Sequence, residues 1–304
     1  MLSYFVFFLT VAAILAIATL GLNLQWGISG QFNAGVVGFM AVGGYALAVL
    51  TLPPSGRLVV ATHWPFALAL LVSLLLCAAV AWLVGMATLR LRGDYLAIAT
   101  FGVASAIQVL ANNLDPLTGG SSGLVGIPRP FASLGPQGFA WAWLALAWGL
   151  LALVYAALQA LLDSPWGRVQ RALREDEAVC AALGKNVVRF RLTAFVMGAV
   201  LMGLSGALYA GFVGATSPGD FLPIVTFQVW AMLIVGGSGR NAGAVLGTLV
   251  IWGLWTLSGA LIMSVLPPRW QAQGGALQSI LVGLVLVLTL LLRPQGLLGG
   301  RGPR

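Results

Sequence analysis

Long runs of uncharged apolar residues make up most of this chain, and they restrict its fold more than any single motif does. The clearest run, residues 138–162, contains no charged side chain in 25 positions. As a helix rising ~1.5 Å per residue, it would cross a hydrocarbon core of roughly 30 Å with some tilt. Hydrophobic residues account for 60% of the sequence and charged residues for 7%, and the mean hydropathy is +1.00. The chain is therefore predicted to be a polytopic membrane protein.

Nine apolar segments predict an all-α transmembrane helical bundle of eight to ten spans, with nine as the best number. They cover residues 2–24, 33–52, 66–89, 94–112, 138–162, 190–215, 221–236, 243–265 and 277–292. Because these spans pack as one bundle, a single membrane domain over residues 1–304 is predicted. The loop at 113–137 and the tail at 293–304 are predicted to lie outside the lipid.

A charged segment interrupts the apolar runs between Asp163 and Arg191, and it holds ten of the chain's 22 charged side chains. One charged residue at the centre of a bilayer costs roughly 2.5–3.5 kcal/mol, so this segment must face water. Cytoplasmic loops retain lysine and arginine, which places the segment and the C-terminus inside the cell. Twelve of the fifteen basic residues are then cytoplasmic: Arg90, Arg92, Arg168, Arg171, Arg174, Lys185, Arg189, Arg191, Arg240, Arg293, Arg301 and Arg304. The others, Arg57, Arg129 and Arg269, are left outside.

Two short helices are predicted inside the charged segment. Ser164 followed by Pro165 is typical of a helix start, and the first helix would run through Arg174 with an apolar side formed by Val169, Ala172 and Leu173. The second would carry acidic residues in its first turn, from Glu175, and end on Gly184 as a C-cap. A capped helix pair between two spans suits the docking of a cytoplasmic protein. The alternative is a solvated loop that only follows the distribution of positive charge.

Two Gly-rich breaks precede apolar spans in the two halves of the chain. Residues 29–38 resemble residues 238–247, with Phe32 as one extra residue. Such a pair can mark a duplicated transporter core, or it can arise by chance in a chain with 40 glycines. Small residues four positions apart favour close helix contact. The glycines predicted to pack helices or break them are Gly30, Gly35, Gly38, Gly239, Gly243 and Gly247.

The sequence lacks the motifs of several kinds of catalytic and binding site. The single histidine, His63, and two distant cysteines, Cys77 and Cys180, match no metal or redox spacing. No G-x-x-x-x-G-K-[ST] motif is present, so this chain is not predicted to hydrolyse ATP alone. The net charge is +8, but the basic residues cluster at the ends of the predicted spans, which argues against nucleic-acid binding. We therefore predict no catalytic residue, no metal and no cofactor for this chain.

A series of motifs resembles a known family. They are Leu89–Ile98 (LRLRGDYLAI), Leu117–Gly120 (LTGG) with Gly123, Arg189–Phe195 (RFRLTAF), Gly203–Gly211 (GLSGALYAG), Gly236–Gly239 (GGSG) and Arg293–Leu298 (RPQGLL). With the charged segment they resemble the permease subunits of branched-chain amino acid ABC importers, of the LivM type. The resemblance covers roughly residues 21–299, in the order that the family shows.

This resemblance implies a multi-pass permease in a bacterial inner membrane, working in a larger complex. The expected partners are a second, LivH-like permease, two cytoplasmic subunits that bind ATP and Mg, and an external solute-binding protein. Residues 163–191 would be the coupling loop that docks on the ATP-binding subunits, and the periplasmic loop 113–137 would meet the binding protein. The residues expected to couple to the ATP-binding subunits are Arg168, Arg171, Arg174, Glu175, Asp176, Glu177, Ala178 and Gly184.

The substrate is less constrained than the class of protein. Polar side chains within the spans, part of which we expect to form helix–helix hydrogen bonds, are candidates for lining a pathway: Asn23, Gln31, Asn33, Tyr45, Gln108, Ser205, Tyr209 and Gln228. Where many relatives have Ser-Leu-Gly, this chain has Asn33, Ala34 and Gly35. Urea, short amides or other amino acids therefore stay open beside leucine, isoleucine and valine. A stand-alone secondary transporter or channel is the alternative from another class.

Overall fold

The computed structural model describes residues 2–54, 61–88, 90–91, 93–265 and 273–298. Predictions made for Arg57, Leu89, Arg92, Arg269 and residues 299–304 lie outside the described residues. Within them, the architecture is helical, with one pair of two-residue strands.

Twelve α-helices follow one another in the described part of the chain. They are α1 (Leu2–Leu22), α2 (Val36–Thr51), α3 (Phe66–Thr88), α4 (Asp94–Asn113), α5 (Asp115–Thr118), α6 (Gly135–Asp163), α7 (Pro165–Glu175), α8 (Glu177–Ala182), α9 (Val187–Val213), α10 (Pro223–Gly236), α11 (Asn241–Val265) and α12 (Gly274–Leu292). The strands β1 (Leu124–Val125) and β2 (Ala215–Thr216) pair antiparallel. Helix α1 continues without a gap into a π-helix, Asn23–Ile28.

The predicted helical membrane bundle is confirmed. Among the described residues, seven helices are long and apolar enough to cross a membrane, judged by length and composition. Two shorter apolar helices, α2 and α10, account for the other predicted segments. These nine helices, the seven long and the two short apolar ones, each begin and end within about three residues of the predicted segment. The agreement is close because an uninterrupted apolar run is a strong signal for a helix. The π-helical extension of α1 was not predicted.

Helices α1, α2 and α9 form the centre of the bundle. Helix α2 is buried along almost its whole length, and it packs against α9, α3 and α4. Glycines allow α2 and α9 to approach closely, because a Cβ atom at Gly43 would lie 2.7 Å from Cα of Gly203. In the same way, a Cβ atom at Gly206 would lie 2.7 Å from Cα of Met40. Close backbone contact through small residues is the usual means of packing helices where lipid removes the hydrophobic driving force.

The two ends of the bundle differ in structure. At one end, β1 pairs with β2 through Leu124 opposite Thr216, so the loop after α5 is tied to the end of α9. At the other end lie the charged segment and both Gly-rich breaks. The segment after α12 joins them there, because the amides of Leu297 and Leu298 donate to the carbonyls of Val235 and Gly236 at 2.8 and 2.9 Å. The predicted separation of loop 113–137 from the charged segment is consistent with this arrangement.

Candidate functional site

The charged segment folds into the predicted helix pair, with one difference at its start. Ser164 precedes α7 and Pro165 occupies its first turn. The Ser164 hydroxyl does not cap the helix, since it donates backwards to the carbonyl of Leu161 at 2.6 Å. The proline, rather than a side-chain cap, defines this helix start.

Helix α8 is capped at both ends by its own residues. Asp176 Oδ1 accepts from the amides of Ala178 at 2.8 Å and Val179 at 3.1 Å, so Asp176 is the N-cap and the helix begins later than the predicted Glu175. Gly184 ends it with φ +75°, and the Lys185 amide donates to the Cys180 carbonyl at 3.1 Å. The C-cap residue itself is Leu183, so Gly184 ends the helix one position later than a C-cap, as the left-handed residue that follows it.

The buried side of α7 differs from the predicted one. Gly167, Gln170 and Leu173 are buried, whereas Ala172 is exposed and Val169 is only half-buried. The predicted apolar side is therefore not the buried side of α7, since the prediction grouped apolar side chains and did not consider glycine and glutamine. Residues three apart share one helix face, so the spacing of 167, 170 and 173 carried the signal.

Gln170 connects the charged segment to two other parts of the bundle. Its side chain is fully buried. Gln170 Oε1 accepts from the Ser29 hydroxyl at 3.0 Å, and Gln170 Nε2 donates to the Phe190 carbonyl at 2.7 Å. Helix α7 is therefore bonded to the break after α1 and to the start of α9. Sequence reasoning missed this residue because both of its partners are distant in the sequence.

The basic side chains of α7 hold backbone carbonyls. Arg174 donates to the Gly27 carbonyl, Arg171 to that of Leu162 at 3.1 Å, and Arg168 to that of Asp163 at 3.5 Å. These arginines therefore attach α7 to α1 and α6.

The acidic residues around α8 fall into two groups. Glu177 forms a salt bridge of 2.7 Å with Arg191, whose side chain is buried at the start of α9. Glu175 and Asp176 are exposed. A polar cavity of about 340 Å³ lies between these residues and the break after α1, and Gly30 and Arg174 also line it. The exposed surface of the loop therefore keeps both signs of charge.

Buried side-chain amides stabilise the non-helical conformation of the first Gly-rich break. After the π-helix, Gly30 adopts φ +71° and the chain runs without helix to α2. Asn33 Nδ2 donates to Gln25 Oε1 at 2.7 Å, and Asn33 Oδ1 accepts from the Gly35 amide at 2.7 Å. Gln25 Nε2 in turn donates to the Phe195 carbonyl at 2.7 Å. The Gly35 amide, which has no helical partner in the break, is satisfied in this way, and the two side-chain amides satisfy each other.

The π-helix that leads into the first Gly-rich break lies against the second break. The Gly239 amide donates to Asn23 Oδ1 at 2.8 Å, and Asn23 Nδ2 donates to Asn241 Oδ1 at 3.1 Å. A Cβ atom at Gly27 would lie 2.6 Å from the Gly239 amide nitrogen, so the backbones touch. Asn241 Nδ2 extends the network to Gln159 of α6 at 3.3 Å.

The glycines that follow each break pack helices, as predicted. A Cβ atom at Gly38 would lie 2.8 Å from Cα of Ala104 in α4. One at Gly247 would lie 2.6 Å from Cα of Gly236, so α10 and α11 depend on this position for close contact.

The predicted pathway residues separate into two sets. Asn23, Gln31, Asn33 and Ser205 are buried, and each bonds within the protein, as when Ser205 donates to the Ile14 carbonyl at 2.8 Å. The other set is Tyr45, Gln108, Tyr209 and Gln228. Of these, Gln108, Tyr209 and Gln228 are partly exposed, and the Tyr45 hydroxyl is buried without a hydrogen-bond partner among the described residues.

Three aromatic rings pack beside the first break. The Trp26 and Phe32 rings lie 4.6 and 4.5 Å from the Trp230 ring of α10, between centroids. Trp230 Nε1 donates to the Asn33 carbonyl at 3.1 Å, which fixes the indole against the break. Phe32 of this cluster is three positions along the chain from Ser29, whose hydroxyl binds Gln170.

Comparison with known proteins identifies the family. The profile described as branched-chain amino acid transport system / permease component matches residues 4–290. The chain belongs to this family. It is 32% identical over 316 residues to the high-affinity branched-chain amino acid transport system permease protein LivM of Escherichia coli K12, covering 95% of this chain and 68% of that protein.

More distant relatives agree with this assignment. The probable branched-chain amino acid transport permease protein LivM of Methanocaldococcus jannaschii is 26% identical, over 93% of this chain and 89% of that protein. The permease protein LivH of Salmonella typhimurium is 27% identical over 51% of this chain and 47% of its own length. No solved structure matches the chain.

As a member of the permease family, the chain is a multi-pass membrane protein. At one end of its bundle, hydrogen bonds join α7 to the segment after α1, and that segment to the second Gly-rich break. The described residues hold no group of three or more histidine, cysteine, aspartate or glutamate side chains that could bind a metal ion.

Proposed function

We propose that this chain is a membrane-spanning subunit of an ABC importer and carries leucine, isoleucine or valine. The observation that carries the proposal is its 32% identity, over 95% of its length, to a branched-chain amino acid permease. A solute-binding protein outside the membrane delivers the amino acid, and ATP hydrolysis with Mg on two cytoplasmic partner subunits drives its passage. This chain supplies the pathway and the coupling, and no ATPase site of its own.

The proposed complex contains a second permease of the LivH type in the same inner membrane. The similarity of this chain to LivH over half its length supports a related architecture for the two subunits. In this arrangement the coupling loop, residues 163–191, and the tail, residues 293–304, face the cytoplasm. The loop at 113–137 faces outward and meets the binding protein.

Movement of the ATP-binding subunits reaches the bundle through α7. Exposed charges of the coupling loop provide complementary contacts for docking, and charge complementarity fixes the partner and its register. Helix α7 is bonded to the first break through Gln170 and Ser29 and through Arg174 and Gly27. A displacement of α7 therefore displaces the break rather than the loop alone.

The break leads from α7 to the aromatic cluster. Phe32 lies within it, and its ring packs on Trp230 of α10. When the coupling loop moves, Gly30 provides the backbone freedom for the segment to turn, and Phe32 separates from Trp230. In this mechanism Trp26, Phe32 and Trp230 form the closed gate of this subunit at the cytoplasmic end.

The polar residues whose side chains still have hydrogen-bonding groups available form the proposed pathway. Tyr45, Gln108, Tyr209 and Gln228 offer hydroxyl and amide groups that bind an amino acid's charged ends weakly enough to release it. Asn33, by contrast, uses its amide groups on Gln25 and Gly35, so it does not favour urea or a short amide as substrate. None of the described acidic side chains is buried, which disfavours a secondary transporter that binds an ion in the membrane.

Reconstitution tests this function. The chain, its sister permease, the two ATP-binding subunits and the binding protein are placed in proteoliposomes, and uptake of labelled leucine is measured with and without ATP. We expect uptake only when ATP and every component are present. Uptake by the chain alone, driven by an ion gradient, would refute the proposal. Uptake of urea in place of leucine would correct the substrate while leaving the class of transporter intact.

A further inference from the structure

A groove runs between α6 and α9 on the half of the bundle near the coupling loop. Both helices pack against α1, and an apolar cavity of about 290 Å³ separates them from each other. Its walls are entirely aliphatic or thioether side chains, among them Val154, Ala157 and Leu161 of α6 and Val196, Met197 and Val200 of α9. The groove therefore offers hydrocarbon contacts without a polar group to satisfy.

A second cavity of about 340 Å³ lies toward the coupling loop, next to this groove along α9. Trp166, Asn186, Arg189, Phe190 and Thr193 line this cavity. Phe190, Thr193, Met197 and Val200 follow one another at helical spacing, so the two cavities share one face of α9. The eleven steps along the helix from Arg189 to Val200 rise roughly 17 Å, which is close to half of a hydrocarbon core of about 30 Å. The combined groove has the length of one lipid leaflet.

The two ends of the groove have opposite chemistry. At the loop end, Arg189 is exposed, and its guanidinium has no hydrogen bond or ion pair with any other described residue. Trp166 lies beside it, and tryptophan is enriched at the level of lipid headgroups. The opposite end is apolar. A basic pocket between spans at the membrane surface, continuous with an apolar groove, matches an anionic phospholipid.

We propose that the groove between α6 and α9 binds one anionic phospholipid from the leaflet on the coupling-loop side. One acyl chain lies between Ala157 and Val196, and the phosphate lies at Arg189. A phospholipid fits better than a transmembrane helix of a partner, because the exposed Arg189 at the loop end is complementary to a phosphate and not to an apolar helix surface. The headgroup then lies between the first turn of α7 and the first turn of α9, and it steadies the coupling loop from its lipid side.

Native mass spectrometry of the purified full chain tests the proposal, with phosphatidylglycerol and phosphatidylcholine of identical acyl chains as probes. We expect the wild-type chain to retain phosphatidylglycerol about fivefold better, the preference that one basic residue near the surface provides. Arg189→Gln should abolish this preference, and Arg189→Lys should restore it. Ala157→Phe, which fills the groove, should lower the retention of both lipids.

Two variants serve as controls for the same measurement. Arg240 is also exposed at this end of the bundle but does not line the groove, so Arg240→Gln should leave the preference unchanged. Ala156 is exposed on another face of α6, so Ala156→Phe should leave retention unchanged. An undiminished preference in Arg189→Gln, or undiminished retention in Ala157→Phe, would overturn the proposal. So would crosslinks from Ala157→Cys to a helix of the second permease in the assembled complex.

Discussion

Replacing Gln170 by leucine should separate ATP hydrolysis from transport. The substitution keeps a side chain of similar size but removes both buried hydrogen bonds, to the Ser29 hydroxyl at 3.0 Å and to the Phe190 carbonyl at 2.7 Å. At about 1 kcal/mol for each bond, the connection between α7 and the bundle loses about 2 kcal/mol, which corresponds to a factor of roughly 30. We therefore expect leucine transported per ATP hydrolysed to fall by about that factor.

The assay measures leucine uptake and phosphate release in the same proteoliposomes. Ser29→Ala removes only one of the two bonds, so its ratio should fall by about fivefold. Ala172→Leu is the matched control, because Ala172 is exposed on the same helix, and its ratio should equal that of the wild type. If Gln170→Leu complexes that contain both ATP-binding subunits transport a wild-type number of leucines per ATP, α7 does not act through Gln170.

Three further substitutions probe the gate, the packing of the breaks and the coupling loop. Trp230→Ala should let leucine leak from loaded proteoliposomes without ATP, whereas Trp230→Phe, which loses only the bond to Asn33, should leak much less. Gly247→Ala should lower the thermal unfolding midpoint, since overpacking costs about 1–3 kcal/mol, whereas Gly283→Ala should not, because nothing lies within 4 Å of a Cβ atom there. Asp176→Ala removes the N-cap of α8, worth about 1 kcal/mol, and should weaken retention of the ATP-binding subunits in a pull-down, whereas Asp176→Asn should retain most of it.

The spans could be predicted from the sequence because each depends on a local property, the length of an apolar run. The ends of α8 could be predicted in part for the same reason, since Gly184 terminates the helix through its own backbone. The π-helical extension of α1 was missed because its Asn23 and Gln25 find partners at Asn241 and Phe195, about two hundred positions away. Polar residues at the end of an apolar run look like the end of a span unless those partners are known.

The candidate site was less predictable than the fold, again because its contacts are distant in sequence. Charge grouped Arg191 and Glu177 in one charged segment, but it did not show that they bind each other across 14 positions. Gln170 is uncharged and polar and lies between arginines, so neither the hydropathy pattern nor the charge pattern identified it as a buried residue. Pairing of β1 with β2 involves only two residues on each strand, which is too short for a pattern of alternating side chains.

The contact between Gly27 and Gly239 joins the π-helix before the first break to the second break. No side chain separates the two backbones, so neither segment has room to shift while the other stays in place. Displacement that begins at α7 must therefore carry α11 with it, and the bond from Asn241 to Gln159 extends it to α6. Under the proposed function, we expect the N-terminal and C-terminal portions of this permease to turn together rather than to rock as independent halves.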